Sequence, residues 1–296
     1  MKKEYYLLLI IFLLFIIYLL VPSATTDTKK EEREEKRAVF ISYIELGNCL
    51  RGKDEETIKK SIDDMLDNVK NFDFNMVILQ VRSFSDAIYP SSIFPSSRSV
   101  VNNEGDELPF DILKYFIKKA HQKDLELHAW INPYRISNDT DTSIISKENP
   151  AYKLLNTSSV KVIDNIGIYY NPASSEVESL ILDGIEEIIK NYDVDGIHFD
   201  DYFYPKSNDI DSTDYEKAYK DNNSLTLQEY RLNTISSLIR KTYKLIKSYD
   251  KSILFGISPD GNINNNYNSN YVDTRKFCTE EGYLDYIMPQ VYYGFL

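Results

Sequence analysis

DGIHFDDYFYP, residues 195–205, decides how the rest of the chain is read. An apolar run leads up to two adjacent carboxylates, Asp200 and Asp201, and aromatics and a proline close the segment. Acids placed where a buried strand ends need a reason to be there, because a carboxylate taken out of water is costly unless it is paired or used. The stretch therefore predicts a strand of a largely buried sheet with reactive groups at its C-terminal end.

Similar short β-rich runs occur at 37–43, 76–82, 126–131, 253–259 and 285–293, giving six with 195–202. Helical patterns fill the intervals at 54–71, 109–122, 175–191 and 225–248. On the first of these Ile58, Ile62, Met65, Leu66 and Val69 share one face. Residues 160–170 read as a hairpin within a loop. Strand–helix alternation predicts a parallel α/β sheet. A doubly wound sheet would want a glycine-rich phosphate turn after an early strand, and none is found.

Side-chain parity favours a barrel. Alternate strand residues face the same way, so Val77, Leu79 and Val81 face the helices and leave Gln80 and Arg82 inward. Leu127, Ala129 and Ile131 face out, with His128, Trp130 and Asn132 inward. Ile197 and Phe199 face out, with His198, Asp200 and Tyr202 inward. Ile287 and Val291 face out, with Met288, Gln290 and Tyr292 inward. One parity is aliphatic and the other turns polar toward the strand ends, as at the active mouth of a TIM (β/α) barrel. Such a barrel has eight strands; the expectation is one truncated after the sixth.

Composition narrows the partners. With 46 acidic against 34 basic residues the formal net charge is −12, which argues against nucleic acid or an anionic surface. The two cysteines, Cys49 and Cys278, have no metal-ligand spacing; one bridge between them is the alternative to two free thiols. Lys2 and Lys3 precede an apolar run over 5–21, which predicts a cytoplasmic-membrane anchor or a signal segment with the remainder exported. Residues 22–36 read as a charged tether and 37–296 as the barrel domain.

Asp200 is the leading catalytic candidate, as nucleophile or general base. The proton donor is left open among Asp201, Asp86 and Asp260, with Glu45 a weaker acid. Arg82, inward-facing and always charged, needs an anionic partner. His198 shares the face of Asp200 and is placed to hydrogen-bond it. His128, Trp130, Asn132, Tyr134, Arg135, Tyr202, Gln290 and Tyr292 complete an aromatic and polar rim, since aromatic faces stack on sugar rings and Asn or Arg meets hydroxyl and carboxylate groups. With neither a phosphate loop nor a metal-ligand set, no cofactor is expected. Glycoside cleavage, which uses a protonated and an ionised carboxyl, fits this mouth.

QVRSFSDAIYP, ELHAWINPYR, VDGIHFDDYFYP, SPDGN and DYIMPQVYY, in this order, resemble the glycosyl-hydrolase-like ten family of bacterial cell-envelope proteins. The resemblance implies a TIM barrel, export or membrane attachment, and a polysaccharide substrate such as peptidoglycan glycan strands. It also implies a site drawn from Arg82, Asp86, Trp130, Asn132, Arg135, His198, Asp200, Asp201, Asp260 and Gln290. An inactive glycan-binding protein is the alternative. Chitinase-type family eighteen enzymes end their fourth strand in DGxDxDxE. Here His198, Asp200 and Tyr202 stand at the corresponding positions and the acid glutamate is missing.

Overall fold

The six apolar runs form one parallel sheet. In the computed structural model, which describes residue 5 and residues 35–292, the strands are β1 (Ala38–Ile41), β2 (Met76–Arg82), β3 (Glu126–Ile131), β7 (Gly196–Phe199), β8 (Leu254–Ile257) and β9 (Tyr286–Ile287), in the order β1-β2-β3-β7-β8-β9. A smaller antiparallel sheet is built from β4 (Arg135–Ser137), β5 (Val160–Ile163) and β6 (Gly167–Tyr170), in the order β4-β6-β5. It contains the expected hairpin and a third strand that the sequence did not reveal. The chain divides into Met1–Glu35 and Lys36–Leu296, and both sheets belong to the second unit. Apart from Tyr5, the expected anchor at 5–21 lies outside the described residues, as does most of the tether. Among the described residues no helix is long and apolar enough to cross a membrane.

The longer helices are α1 (Tyr43–Cys49), α2 (Glu55–Asn71), α3 (Ile112–His121), α4 (Ser175–Asn191), α5 (Ser212–Asp221) and α6 (Leu227–Tyr249). Their starts are written in the sequence. Asp54 accepts from Thr57 N at 2.8 Å, and Thr226 with Glu229 forms a reciprocal capping box. Helix α5 carries no buried residue and a weak apolar pattern, which is why it escaped the sequence reading. The core lies between sheet and helices. Val77, Leu79, Leu127, Ala129, Ile197, Phe199, Phe255 and Ile257 are fully buried, together with Ile58, Ile62, Leu66, Phe116, Ile181, Ile185, Ile235 and Ile239. Each such aliphatic or aromatic side chain contributes about 1.5–3 kcal/mol relative to an exposed one.

The sheet is curled. Strands β1 and β7 are three neighbour spacings apart, roughly 14 Å in a flat sheet, yet the Phe40 and His198 ring centroids lie 5.5 Å apart on the inner face. The fold is thus α/β with a curled parallel half-barrel sheet.

One expectation fails within β2. The register against β3 shifts between Gln80, opposite Trp130, and Arg82, opposite Ile131. This bulge reverses the parity of Arg82. Its guanidinium stacks on the Phe94 ring at 3.6 Å and packs against Gly184 of α4, on the helix side of the sheet. A Cβ at position 184 would overlap Arg82 Nη1 and the Phe94 ring. Gly184→Ala is therefore expected to lower stability by roughly 1–3 kcal/mol through overpacking, despite the better helix propensity of alanine. A denaturant midpoint unchanged or raised would contradict this packing.

Cys49 and Cys278 are both free thiols, so the bridge is not formed.

Candidate active site

The site is built where β7 ends. Asp200 N still donates to Ile131 O of β3 at 3.3 Å, and the next residue turns away: Asp201 has φ 49°, in the left-handed region. Asp is among the few non-glycine residues that adopt this conformation with a modest penalty. The turn ends strand alternation, so both carboxyls take part in one polar cluster. Asp200 Oδ1 accepts from Asp201 N and from Gln290 Nε2, each at 2.7 Å. Burial pushes the Asp200 carboxyl up to about 7, and the adjacent Asp201 carboxylate adds to the shift.

Asp201 is held from the β3 side. Arg135 Nη1 pairs with its Oδ2 at 2.9 Å, and Asn132 Nδ2 donates to the same oxygen at 3.2 Å. Asn132 is oriented in turn by Trp130, whose indole N–H donates to Asn132 Oδ1 at 2.6 Å. The Arg135 guanidinium lies over the rings of Phe84 (4.9 Å) and Tyr43 (5.8 Å), which fixes the plane of the fork that meets Asp201. Tyr292, expected to face inward, is 85% exposed. Replacing Arg135 with Met would leave Asp201 without its cation. The expected result is a further rise in the Asp200 pKa, read as an alkaline shift of its carboxyl titration by NMR; an unmoved titration would show that the ion pair does not govern the site.

Below the rim, the inner face carries a buried neutral layer. The Tyr286 hydroxyl lies 2.7 Å from His128 Nδ1 and 2.9 Å from His198 Nδ1, and His198 Nε2 lies 2.8 Å from Ser258 Oγ. With only one hydroxyl proton to give, Tyr286 donates to one imidazole and accepts from the other. Burial lowers His128 to about 4 and His198 to about 3, so both are uncharged near neutral pH. A Cβ at Gly256 would overlap the Tyr286 ring, so this glycine makes room for the layer. His198 is thus committed to Tyr286 and Ser258 and does not bond Asp200 as expected.

Several other candidates stand elsewhere. Arg82 is behind the sheet. Asp86 is buried and accepts from Ser83 N (3.2 Å) and Phe84 N (3.0 Å), so it shapes its own loop; burial raises its pKa. Asp260 accepts from Asn262 N at 2.7 Å and from the Asn265 amide, and its residue bridges Gln290 through the backbone. It supports the loop that presents Gln290. Tyr134 and Tyr202 are buried in the apolar core, the latter fully, with its hydroxyl unpartnered among the described residues. Both follow the last strand residue, where period-two reasoning no longer applies. Glu45 completes the capping box of α1 with Ser42. The groups missed from the sequence are Tyr286, Ser258, Tyr43 and Phe84. Tyr286 has the parity of Met288 and Gln290, a signal that was available; Tyr43 and Phe84 lie at strand ends and carry none.

The family described as Glycosyl hydrolase-like 10 matches residues 35–296. Glycosyl hydrolase YngK of Bacillus subtilis is 34% identical over 285 residues, covering 87% of this chain and 54% of that protein. Glycosyl hydrolase DigH of Escherichia coli K12 is 31% identical over 258 residues, covering 80% and 58%. The chain thus spans somewhat over half the length of these curated relatives. Among solved structures, the PgaB (BpsB) glycoside hydrolase domain from Bordetella bronchiseptica superposes with a TM-score of 0.62 at 14% identity, covering 86% of this chain and 73% of that one; this likeness concerns the fold alone.

Proposed function

The chain belongs to the glycosyl hydrolase-like 10 family, and from that premise we propose that it hydrolyses glycosidic bonds in a polysaccharide, peptidoglycan glycan strands being the substrate we favour. The curled six-stranded sheet is, in this reading, part of a TIM (β/α) barrel whose mouth is the Asp200–Asp201 cluster. We further propose that residues 5–21 hold the protein at the cytoplasmic membrane with the catalytic region outside.

The observation that carries the reading is the unequal pair at the end of β7. Asp200 is half-buried and holds its proton up to about pH 7, whereas Asp201 faces a guanidinium and an amide. A carboxyl raised in this way beside a carboxylate that faces a guanidinium is how glycosidases obtain an acid and a base from one residue type. Asp200 is suited to give its proton to the leaving oxygen as the glycosidic bond breaks, and the water that adds to the anomeric carbon then returns a proton to its carboxylate. Gln290 orients that carboxyl, and Asp201 supplies negative charge beside the positive charge that develops on the sugar. The sequence alone suggests Asp200 as nucleophile or base; its environment favours the donor.

The experiment is incubation of the protein with purified glycan strands, followed by separation of the products. Shorter fragments from the wild type support hydrolysis. Saturable binding with no fragment produced would make this a glycan-binding protein.

A further inference from the structure

The proposed chemistry leaves the fully buried His198 without a part, yet hydrogen bonds lead from it to the acid. The Gln290 amide nitrogen that donates to Asp200 Oδ1 also lies 3.3 Å from the Ser258 carbonyl oxygen. A carbonyl oxygen only accepts, so the amide must present its NH2 group to both. Turned the other way, Gln290 would set its own carbonyl oxygen against two acceptors. Ser258 is itself held at two points. Its N–H donates to Phe199 O at 2.9 Å, and its hydroxyl lies 2.8 Å from His198 Nε2. The Gln290 backbone is tied to the same loop, with its N–H donating to Pro259 O at 2.8 Å and its carbonyl accepting from Gly261 N at 3.1 Å. Because the hydroxyl and the carbonyl belong to one residue, His198 governs where Gln290 finds its acceptor.

The sense of that amide decides which oxygen of Asp200 carries the proton. Oδ1 accepts from Asp201 N and from Gln290 Nε2, whereas no donor among the described residues reaches Oδ2. An oxygen that already accepts two N–H groups is the poorer site for a proton, so the proton sits on Oδ2. His198 does not act on Asp200 directly. Both its nitrogens are engaged, Nδ1 with the Tyr286 hydroxyl at 2.9 Å and Nε2 with Ser258.

We propose that His198 is a positioning residue for the Asp200 acid. Anchored by Tyr286, it fixes Ser258, whose carbonyl holds Gln290 in the sense that keeps the acid proton on Oδ2, the oxygen left for the glycosidic bond. The proposal rests on the reading of Asp200 as proton donor and deepens it.

Two amide substitutions separate this role from space filling. His198→Asn ends at the position of Nδ1 and loses the Ser258 bond, whereas His198→Gln reaches the position of Nε2 and keeps it. Both lose the ring contacts with Phe40 and Tyr286. On purified glycan strands His198→Asn is expected to lower kcat about tenfold with KM unchanged, the effect of losing one hydrogen bond to a charged group. His198→Gln is expected to keep most of the wild-type rate. A hydrogen bond to the ionised form lowers a carboxyl pKa, so the alkaline limb of His198→Asn should move to higher pH, as in Gln290→Ala. Asp201 and Arg135, the charges beside Asp200, are unaltered in these variants. Adding His198→Asn to Gln290→Ala should cost nothing further, because the path is already cut. Ser258→Ala deletes only the hydroxyl and should reproduce His198→Asn, which keeps the test decisive if the histidine variants do not fold. Equal losses in the two amide variants, additive losses in the double variant, or an unmoved limb in Ser258→Ala overturn the proposal. If the wild type releases no fragments, the hydrolase reading falls and the role of His198 is decided by NMR. An Asp200 carboxyl titration raised in Ser258→Ala sustains the positioning chain, and an identical titration ends it.

Discussion

Asp200→Asn is expected to lower kcat/KM on glycan by about 10²–10⁴-fold, the range usual for losing a positioned general acid, with the fold intact. The amide keeps the size of the carboxyl but cannot supply the proton. In the wild type the rate should fall as pH rises through about 7, where Asp200 loses its proton; the residual rate of the variant should lack that limb. The same substitution should alter stability in a pH-dependent way. The folded pKa is raised to about 7 from 3.8, so between these values the native state binds more protons than the unfolded one. Wild-type stability therefore falls as pH rises through that window, and the contribution is complete only below it. Asparagine carries no such penalty. The variant should be more stable than wild type above about pH 7, by on the order of 2–4 kcal/mol, with the difference vanishing near pH 4. Denaturant titrations at several pH values measure it. A difference independent of pH would mean that Asp200 titrates normally.

The largest loss of stability is expected from Arg231→Met. Arg231 of α6 pairs with Asp211 through Nε (2.8 Å) and Nη2 (2.6 Å), and the two side chains are 3% and 0% exposed. Its Nη2 also donates to Asn208 O at 3.1 Å and Nη1 to the Tyr271 hydroxyl at 3.2 Å, and the guanidinium lies 4.9 Å from the rings of both Tyr204 and Tyr271. Methionine leaves the Asp211 carboxylate buried and unpaired, a situation that costs about 3–5 kcal/mol. The double variant Arg231→Met/Asp211→Leu should recover part of that loss, because no buried charge is stranded. Asp211 and Asn208 lie in the segment that follows Asp201, so Arg231→Met should also loosen the acid cluster and reduce activity. A single variant within 1 kcal/mol of wild type would show that the pair is hydrated and weakly coupled to the fold.

Much of the architecture was legible because it rests on local patterns. The inner and outer faces of β3 and β7 follow directly from alternation, and α2 and α4 follow from period and caps. Parity failed where the backbone departs from the ideal strand. Arg82 lies after a one-residue bulge, and no residue near it announces the bulge, so its inward placement was the natural reading and the wrong one. Asp200 and Asp201 illustrate the opposite outcome. Alternation would separate them, and the left-handed turn at Asp201 brings both into the cluster. Asp86 and Glu45 stood in plausible places for catalysis, but short-range hydrogen bonds to nearby backbone occupy both. The Tyr286–His198–Ser258 layer needs the curl of the sheet, a property of six strands together that no single segment reveals.

The most direct test is the release of new reducing ends from purified, peptide-free glycan strands by the full chain, followed from about pH 5 to about pH 8. The prediction is fragment release that is fastest while Asp200 keeps its proton, declines through neutrality and disappears in Asp200→Asn. Release by the wild type that rises steadily with pH, or persists in the variant, would contradict a proton-donating Asp200. No release at any of these pH values by folded protein would contradict the hydrolase itself.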